Sequence, residues 1–336
     1  MPDHKDLPLT GPEVGSLWMT YQKMTMLLQM MKHFAQTSET PGYHQFLAGQ
    51  VGEIQSFAEE IRNIFTGDGI IIPVGFTDQD VDLDAPALYN DVFGVSWFRI
   101  MTKVMMGMSV LHLGEATRDD VISYYERNLT YAKKMYIAST KLLMENSAFA
   151  PGPVVTPPQE VEFVQSKSYM SGTSLFQKTR PINTVEVLYL HQGIEINQVG
   201  AELMTGFAQA AREPDVQQYF ARGKNLAYSC IDTFAAILKE SDIQPAMSPW
   251  GRTTRSTRAP FSDKLMMYCT NLLSGFSLGS NAIGTSFSMR TDLPMKMTLI
   301  AAQIYDFAKD GGKLMVKYKW MEEPFQAEDR AALLKT

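Results

Sequence analysis

The chain has 336 residues, of which 45% are hydrophobic and 20% charged, a length that suits about two domains, each able to bury a core. A net charge of -6 excludes a general nucleic-acid or anionic-membrane binder, since both need a basic surface. Two cysteines exclude a disulfide framework, and no apolar run reaches the roughly 18–20 residues that would span a bilayer.

The N-terminal MPDHKDLPLT has no apolar core of the signal-peptide kind, so a cytoplasmic, reducing location is expected. The first helix starts at Thr10, whose pairing with Glu13 predicts a capping box. Leu17, Tyr21, Met24, Leu28, Met31 and Ala35 then recur in steps of three and four, one apolar stripe on a helix. Pro41 suits a first-turn position and opens a second helix with the stripe Leu47, Val51, Ile54, Ala58, Ile61 and Phe65. A long connection, IIIPVGFTDQDVDLDAP, leads to a third helix over about 86–114, and a fourth follows over about 118–146.

Sliding the chain on itself by 173 residues lays Glu13–Ala48 over Glu186–Ala221, and ten of the 36 aligned positions are identical. Ala85-Pro86 pairs with Ala259-Pro260, Arg118 and Asp120 with Arg290 and Asp292, and Lys141-Leu142 with Lys313-Leu314. Asn183 and Glu186 take the capping-box places in the second copy. Its helices are expected from 183, near 214, over about 262–289 and over about 293–321. The predicted fold is all-α: two tandem antiparallel four-helix bundles, residues 1–150 and 183–336, joined by a linker over 151–182. One long connection between helices 2 and 3, with short ones elsewhere, is ferritin-like topology. Val161, Phe163, Tyr169, Leu175 and Phe176 predict a linker that lies along the bundles, and the two copies are expected to dock as a pseudo-dimer.

The tandem copies, the IPVGFTDQDVDL connection, the SDKLMMY start of the second helix 3, the KTRPIN entry to copy two and the WMEEPFQAEDR tail together resemble the family known as domain of unknown function 3231. The resemblance covers nearly the whole chain. It implies a ferritin-like fold and an origin in spore-forming bacteria, with no established activity, substrate or cofactor. Its pattern implies a histidine in mid helix 2 of each copy and in the second helix 3, where this chain has Phe57, Cys230 and Cys269.

A carboxylate-bridged di-iron site needs a Glu-x-x-His on two helices. The residues three before His33, His44, His112 and His191 are Met30, Pro41, Ser109 and Leu188, so the motif is missing and no cofactor or standard metal site is expected. Weaker ligand candidates are His191 with Glu195, and Cys230 with Cys269 should these meet across copy two. The pairs His112–Glu115 and Glu53–Glu60 are weaker still. Charged residues on an amphipathic helix usually face solvent, and free cysteines usually pack as small hydrophobes. The 22 methionines, with clusters at Met24–Met31 and Met101–Met108, offer thioethers for copper(I) but suit core filling better. Gly275-Phe-Ser-Leu-Gly279 has nucleophile-elbow spacing without the preceding strand or following histidine the elbow needs. Gly275, Gly279 and Gly284 are expected to let a helix approach closely, or to border a small pocket. Arg252, Arg255 and Arg258 form a basic loop that would suit a phosphate or acidic partner, or simply a solvated turn.

Polar and small residues at core-facing positions of copy two place the largest expected cavity in the second bundle, near Asn197, Cys230 and Cys269. The preferred function is a non-catalytic scaffold or interaction protein. The alternatives are an apolar small-molecule binder using that pocket, and a metal or redox protein with a non-standard site.

Overall fold

The computed structural model describes residues 7–172, 179–247, 249 and 251–330. Eight long helices carry the fold: α1 (Gly11–Thr37), α2 (Pro41–Gly67), α3 (Asp91–Leu113), α4 (Asp119–Glu145), α5 (Thr184–Ala210), α6 (Pro214–Glu240), α7 (Asp263–Phe287) and α8 (Asp292–Lys317). Helices α1–α4 form one antiparallel bundle and α5–α8 a second. Within each, consecutive helices pair across short turns and one long crossover joins the second helix to the third.

Both expected capping boxes form, Thr10 with Glu13 and Asn183 with Glu186. Each N3 carboxylate does more than close its own helix. Glu13 Oε1 accepts from the Thr117 and Arg118 amides at 2.8 and 2.9 Å. Glu186 Oε1 accepts from the Met289 and Arg290 amides at 3.2 and 3.0 Å. The orphan donors at a helix entry are thus satisfied together with the preceding turn of the last helix in the bundle. The two arginines complete the knot, each holding a carboxylate two residues on through paired bonds, Arg118 with Asp120 and Arg290 with Asp292.

The two bundles pack against each other. Their crossovers meet in two isolated antiparallel bridges, Val81 with Phe261 and Tyr89 with Thr253. The hydrogen bonds come in reciprocal pairs. Asp82 N donates to Pro260 O as Thr254 N donates to Leu88 O, and Asn90 N donates to Arg252 O as Ser262 N donates to Asp80 O, all at 2.8–2.9 Å. In each pair one bond becomes the other when both residues move by 172 and the copies are exchanged, which is the self-complementarity of a two-fold interface within one chain. This register corrects the pairing of Ala85-Pro86 with Ala259-Pro260. Pro260 answers to Leu88, and the two Ala-Pro dipeptides occupy different places along the crossover. The same contact shortens the expected third helix: residues 86–90 stay outside it, because Tyr89 and Asn90 pair with the other crossover before α3 starts at Asp91.

Docking also changes what α1 is. From Thr20 to Met31 every residue is buried, including Gln22, Lys23, Thr25 and Gln29 on the faces expected to meet solvent. One continuous apolar cluster runs through the first bundle and into α5, α6, α7 and α8, while a smaller cluster fills the far end of the second bundle. An amphipathic stripe predicts one buried face; α1 buries the rest against the other half.

The linker departs from expectation. Val161 and Phe163 are 86% and 80% exposed, and only Tyr169 is half-buried, under the Arg180 guanidinium at 4.0 Å from its ring. Leu175 and Phe176 lie outside the described residues. The bundles dock directly through helices and crossovers, and the linker leaves Val161 and Phe163 to solvent.

Candidate functional site

The expected ligand pair on α5 is already engaged. Glu195 has a side chain only 5% exposed, and its two oxygens each accept a 2.6 Å bond, from Arg99 Nη1 and from Lys103 Nζ of α3. Arg99 is held in turn by Thr140 and Tyr136 at 2.7 Å, with its guanidinium stacked 4.6 and 4.5 Å from the rings of Tyr136 and Phe149. Burial pushes the Glu195 carboxyl up, but Lys103 and Arg99 outweigh it and the pKa is lowered. A cation would have to displace both side chains. Burial lowers the neighbouring His191, against the pull of Glu195. Among the described residues no group of three or more His, Cys, Asp or Glu side chains comes together. The cluster fastens α3 and α4 of one bundle to α5 of the other.

Cys230 and Cys269 do not share a site. Cys230 belongs to the far-end cluster of the second bundle and Cys269 to the continuous core. Burial raises their thiols to about 11 and about 12, so neither is a thiolate near neutral pH. Their helices carry them into different layers, a separation the sequence spacing does not reveal. The glycine expectation divides. A Cβ on Gly275 or Gly279 would meet nothing within 4 Å, so neither marks a close approach. On Gly284 it would lie 3.1 Å from Tyr189, and there a glycine does admit a neighbour. In the basic loop, Arg258 pairs with Asp82 of the first crossover at 2.7 Å, while Arg252 and Arg255 are exposed. Met24, Met26, Met30, Met31, Met101 and Met105 are fully buried in the apolar core.

Hollows flank this framework in both bundles, among them one of about 320 Å³ between α6 and α8 beside Tyr219 and Arg222. Another, about 700 Å³, is an open groove of the first bundle between α2 and α4, floored by Phe57, Tyr131 and Met135 and rimmed by Glu53, Glu60 and Lys134. The expectation placed the largest cavity in the second bundle near Asn197, and the hollow that Asn197 lines is smaller than this open groove. Tyr131 donates to Gln50 there at 3.0 Å and Arg127 pairs with Glu60. A third, about 70 Å³, lies in the second bundle among α5–α8, and Ile100 of α3 also borders it. Asn197 lines it, as expected; Cys230, Cys269, Gly275 and Gly279 do not. Gly200, Gly223, Ala227, Thr270 and Ser277 line it without having been singled out in the sequence. The signal that finds them is the internal register, since each can be compared with its counterpart in the other copy.

Two buried titratable groups of α1 were also missed. Burial takes the Lys23 ammonium down to about 8. Burial takes the His33 imidazole down to about 4, against the opposing pull of Asp82. His33 packs edge-on against Phe261, ring centres 5.3 Å apart. Its counterpart, Gly206, leaves space for Tyr89, the counterpart of Phe261, whose hydroxyl donates to Leu203 O at 2.7 Å. Each side of the interface thus pairs a large residue with a complementary one.

Comparison with known proteins adds a family and a distant structural likeness. The profile of the family described as "Protein of unknown function (DUF3231)" matches residues 2–161 and 170–333. No curated protein matches the chain. Among solved structures, a candidate spore coat protein from Bacillus halodurans is similar at 14% identity, over 45% of this chain and 98% of that one, with a TM-score of 0.42.

Proposed function

We propose that this chain, which belongs to the DUF3231 family of proteins of unknown function, is a non-catalytic scaffold: one fused double bundle that presents its outer helix faces to a partner. One observation carries the reading. Five buried charged groups are engaged in structural bonds: Glu13 and Glu186 on helix entries, Arg118 and Arg290 on carboxylates, Glu195 on two cations. An acid–base or nucleophilic mechanism needs a group with a free valence beside a cleft, and pKa values tuned towards its task. Here the two thiols are raised out of the reactive range, and Glu195 is neutralised in place.

The test is rescue of a deletion strain by the full chain carrying His191→Gln and Cys230→Ala together. Undiminished rescue of the deletion phenotype is expected. Loss of rescue by a variant that keeps its helical circular dichroism and melting temperature would overturn the non-catalytic reading.

A further inference from the structure

The 70 Å³ cavity of the second bundle lies at a place where the copies differ in one direction. The register for α3 and α7 is anchored by Asp91 and Asp263, which accept from the backbone amides at the start of α2 and of α6 respectively. In that register Met24, Leu27 and Ile54 of copy one become Asn197, Gly200 and Ala227, while Phe98 and Met105 become Thr270 and Ser277. The copy-one residues are at most 1% exposed. Against these five losses of volume, Ala132 becomes Ile304 and Met135 becomes Phe307, both of which border the cavity. The compensation is partial, and a hollow is what remains. Removing buried volume without refilling costs stability in proportion to the void, so a cavity made by several independent reductions is not a neutral drift of the core.

Its polar groups are few and available. Thr270 directs its hydroxyl to Met266 O at 2.9 Å. Asn197 donates through Nδ2 to Gly193 O at 2.8 Å, which leaves Oδ1 as an acceptor. Ser277, 8% exposed, lines the cavity and its hydroxyl has no hydrogen-bond partner among the described residues. An apolar space bordered by a few polar groups suits a ligand that is mostly apolar with a single polar end. The volume is about half of the ~150 Å³ that holds benzene in an engineered apolar cavity, so the ligand is of about two to four carbons.

We propose that this cavity is a binding site for a small, mostly apolar molecule bearing one hydroxyl group, in size and chemistry a short-chain alcohol. The alkyl part packs on Leu273, Ile304 and Phe307, and the hydroxyl donates to Asn197 Oδ1 and accepts from Ser277 Oγ. The site is independent of the scaffold reading, since a scaffold needs no interior ligand and a ligand here needs no outer partner.

The experiment titrates the full chain with xenon, followed by the xenon-129 NMR shift, and then competes xenon with propan-1-ol. A saturable xenon shift is expected, abolished in Ala227→Val, which refills the cavity with two carbons, and displaced by propan-1-ol in the native chain. Ser277→Ala should leave xenon binding in place and weaken propan-1-ol competition about five-fold, the loss of one hydrogen bond. No saturable shift, a shift that survives Ala227→Val, or propan-1-ol competition unchanged by Ser277→Ala would each overturn the proposal. If Ala227→Val fails to fold, the Ser277→Ala comparison decides alone.

Discussion

The interiors of the two bundles answer the same packing problem differently. In the first, Met24, Ile54, Met101 and Met105 fill the centre, and Phe57 packs beside them, edge-to-face on Tyr124 at 5.8 Å and tilted against Tyr131 at 5.4 Å. In the second, the corresponding centre is Asn197, Ala227, Leu273 and Ser277, and Phe57 gives way to Cys230. A duplicated backbone therefore tolerates a filled core and a hollowed one, because the end knots and the crossover pairing hold the helices without help from the middle. The interface is unequal as well. On one side of the internal two-fold Arg99 and Lys103 grip Glu195; on the other their counterparts are Asn271, Gly275 and Gln22, with no charge among them.

The largest expected effect breaks that interface contrast. Arg99→Ala leaves Glu195 buried beside Lys103 alone, and removing one partner of a buried pair costs about 3–5 kcal/mol. Asn271→Ala, at the counterpart position, should cost under about 1 kcal/mol. Urea midpoints of the two variants check the difference, and equal shifts would mean the charged side has no special hold.

Next comes the core contrast. Met24→Ala opens a fully buried site and should cost about 2–5 kcal/mol, whereas Asn197→Ala in the already hollow copy should cost about 1 kcal/mol or less. Calorimetric melting on both variants measures it. A glycine pair then sharpens the difference between a close approach and an open one. A Cβ on Gly206 would lie 2.4 Å from the Tyr89 hydroxyl, so Gly206→Ala should destabilise by about 1–3 kcal/mol. Gly275→Ala meets nothing and should stabilise α7 by about 0.5–1 kcal/mol. The same sign for both would contradict the packing.

The smallest effects are those of pH. Burial pushes the Glu13 carboxyl up, but amide donors from Thr10, Thr117 and Arg118 bring it down to about 2, below its ordinary 4.5. A carboxylate depressed in the fold contributes stability that is complete above about pH 4.5 and lost as pH falls towards about 2. Glu13→Gln should flatten that acid limb. His33 has the same sign for a different reason: burial holds it at about 4 against an ordinary 6.5, so the folded chain binds its proton less readily than the unfolded chain. Its contribution is complete above about pH 6.5 and lost towards about pH 4. His33→Phe should remove that slope, read as urea midpoint against pH. A slope left intact would assign it to His112, which burial also lowers to about 4.

Much of this was legible because it is local. The capping boxes at Thr10 and Asn183 sit three residues from their partners, and the helices that follow are written in apolar steps of three and four. Asn197 was legible as a polar residue on an apolar stripe, and it does border the cavity. Cys230 and Cys269 were not assignable in the same way: a helix position gives a face, but which layer that face meets depends on how far each helix has slid past its neighbours. Lys23 illustrates the same gap. On its own helix it lies beside the stripe, on the side a single bundle would leave to water, and it is buried here.

The sequence by itself determined that there are two copies of one four-helix unit, where most helices start, and that the standard Glu-x-x-His metal motif is missing. These follow from periodicity, capping chemistry and self-similarity, each read within a few turns of chain. Only the tertiary structure decided that the crossovers pair with a 172-residue register, that α1 is enclosed on all sides from Thr20 to Met31, that Glu195 is held by two cations, and that the linker carrying Val161 and Phe163 stays exposed. The physical reason is that docking two similar faces buries residues according to their distance from a shared axis, and that distance arises between residues roughly half a chain apart.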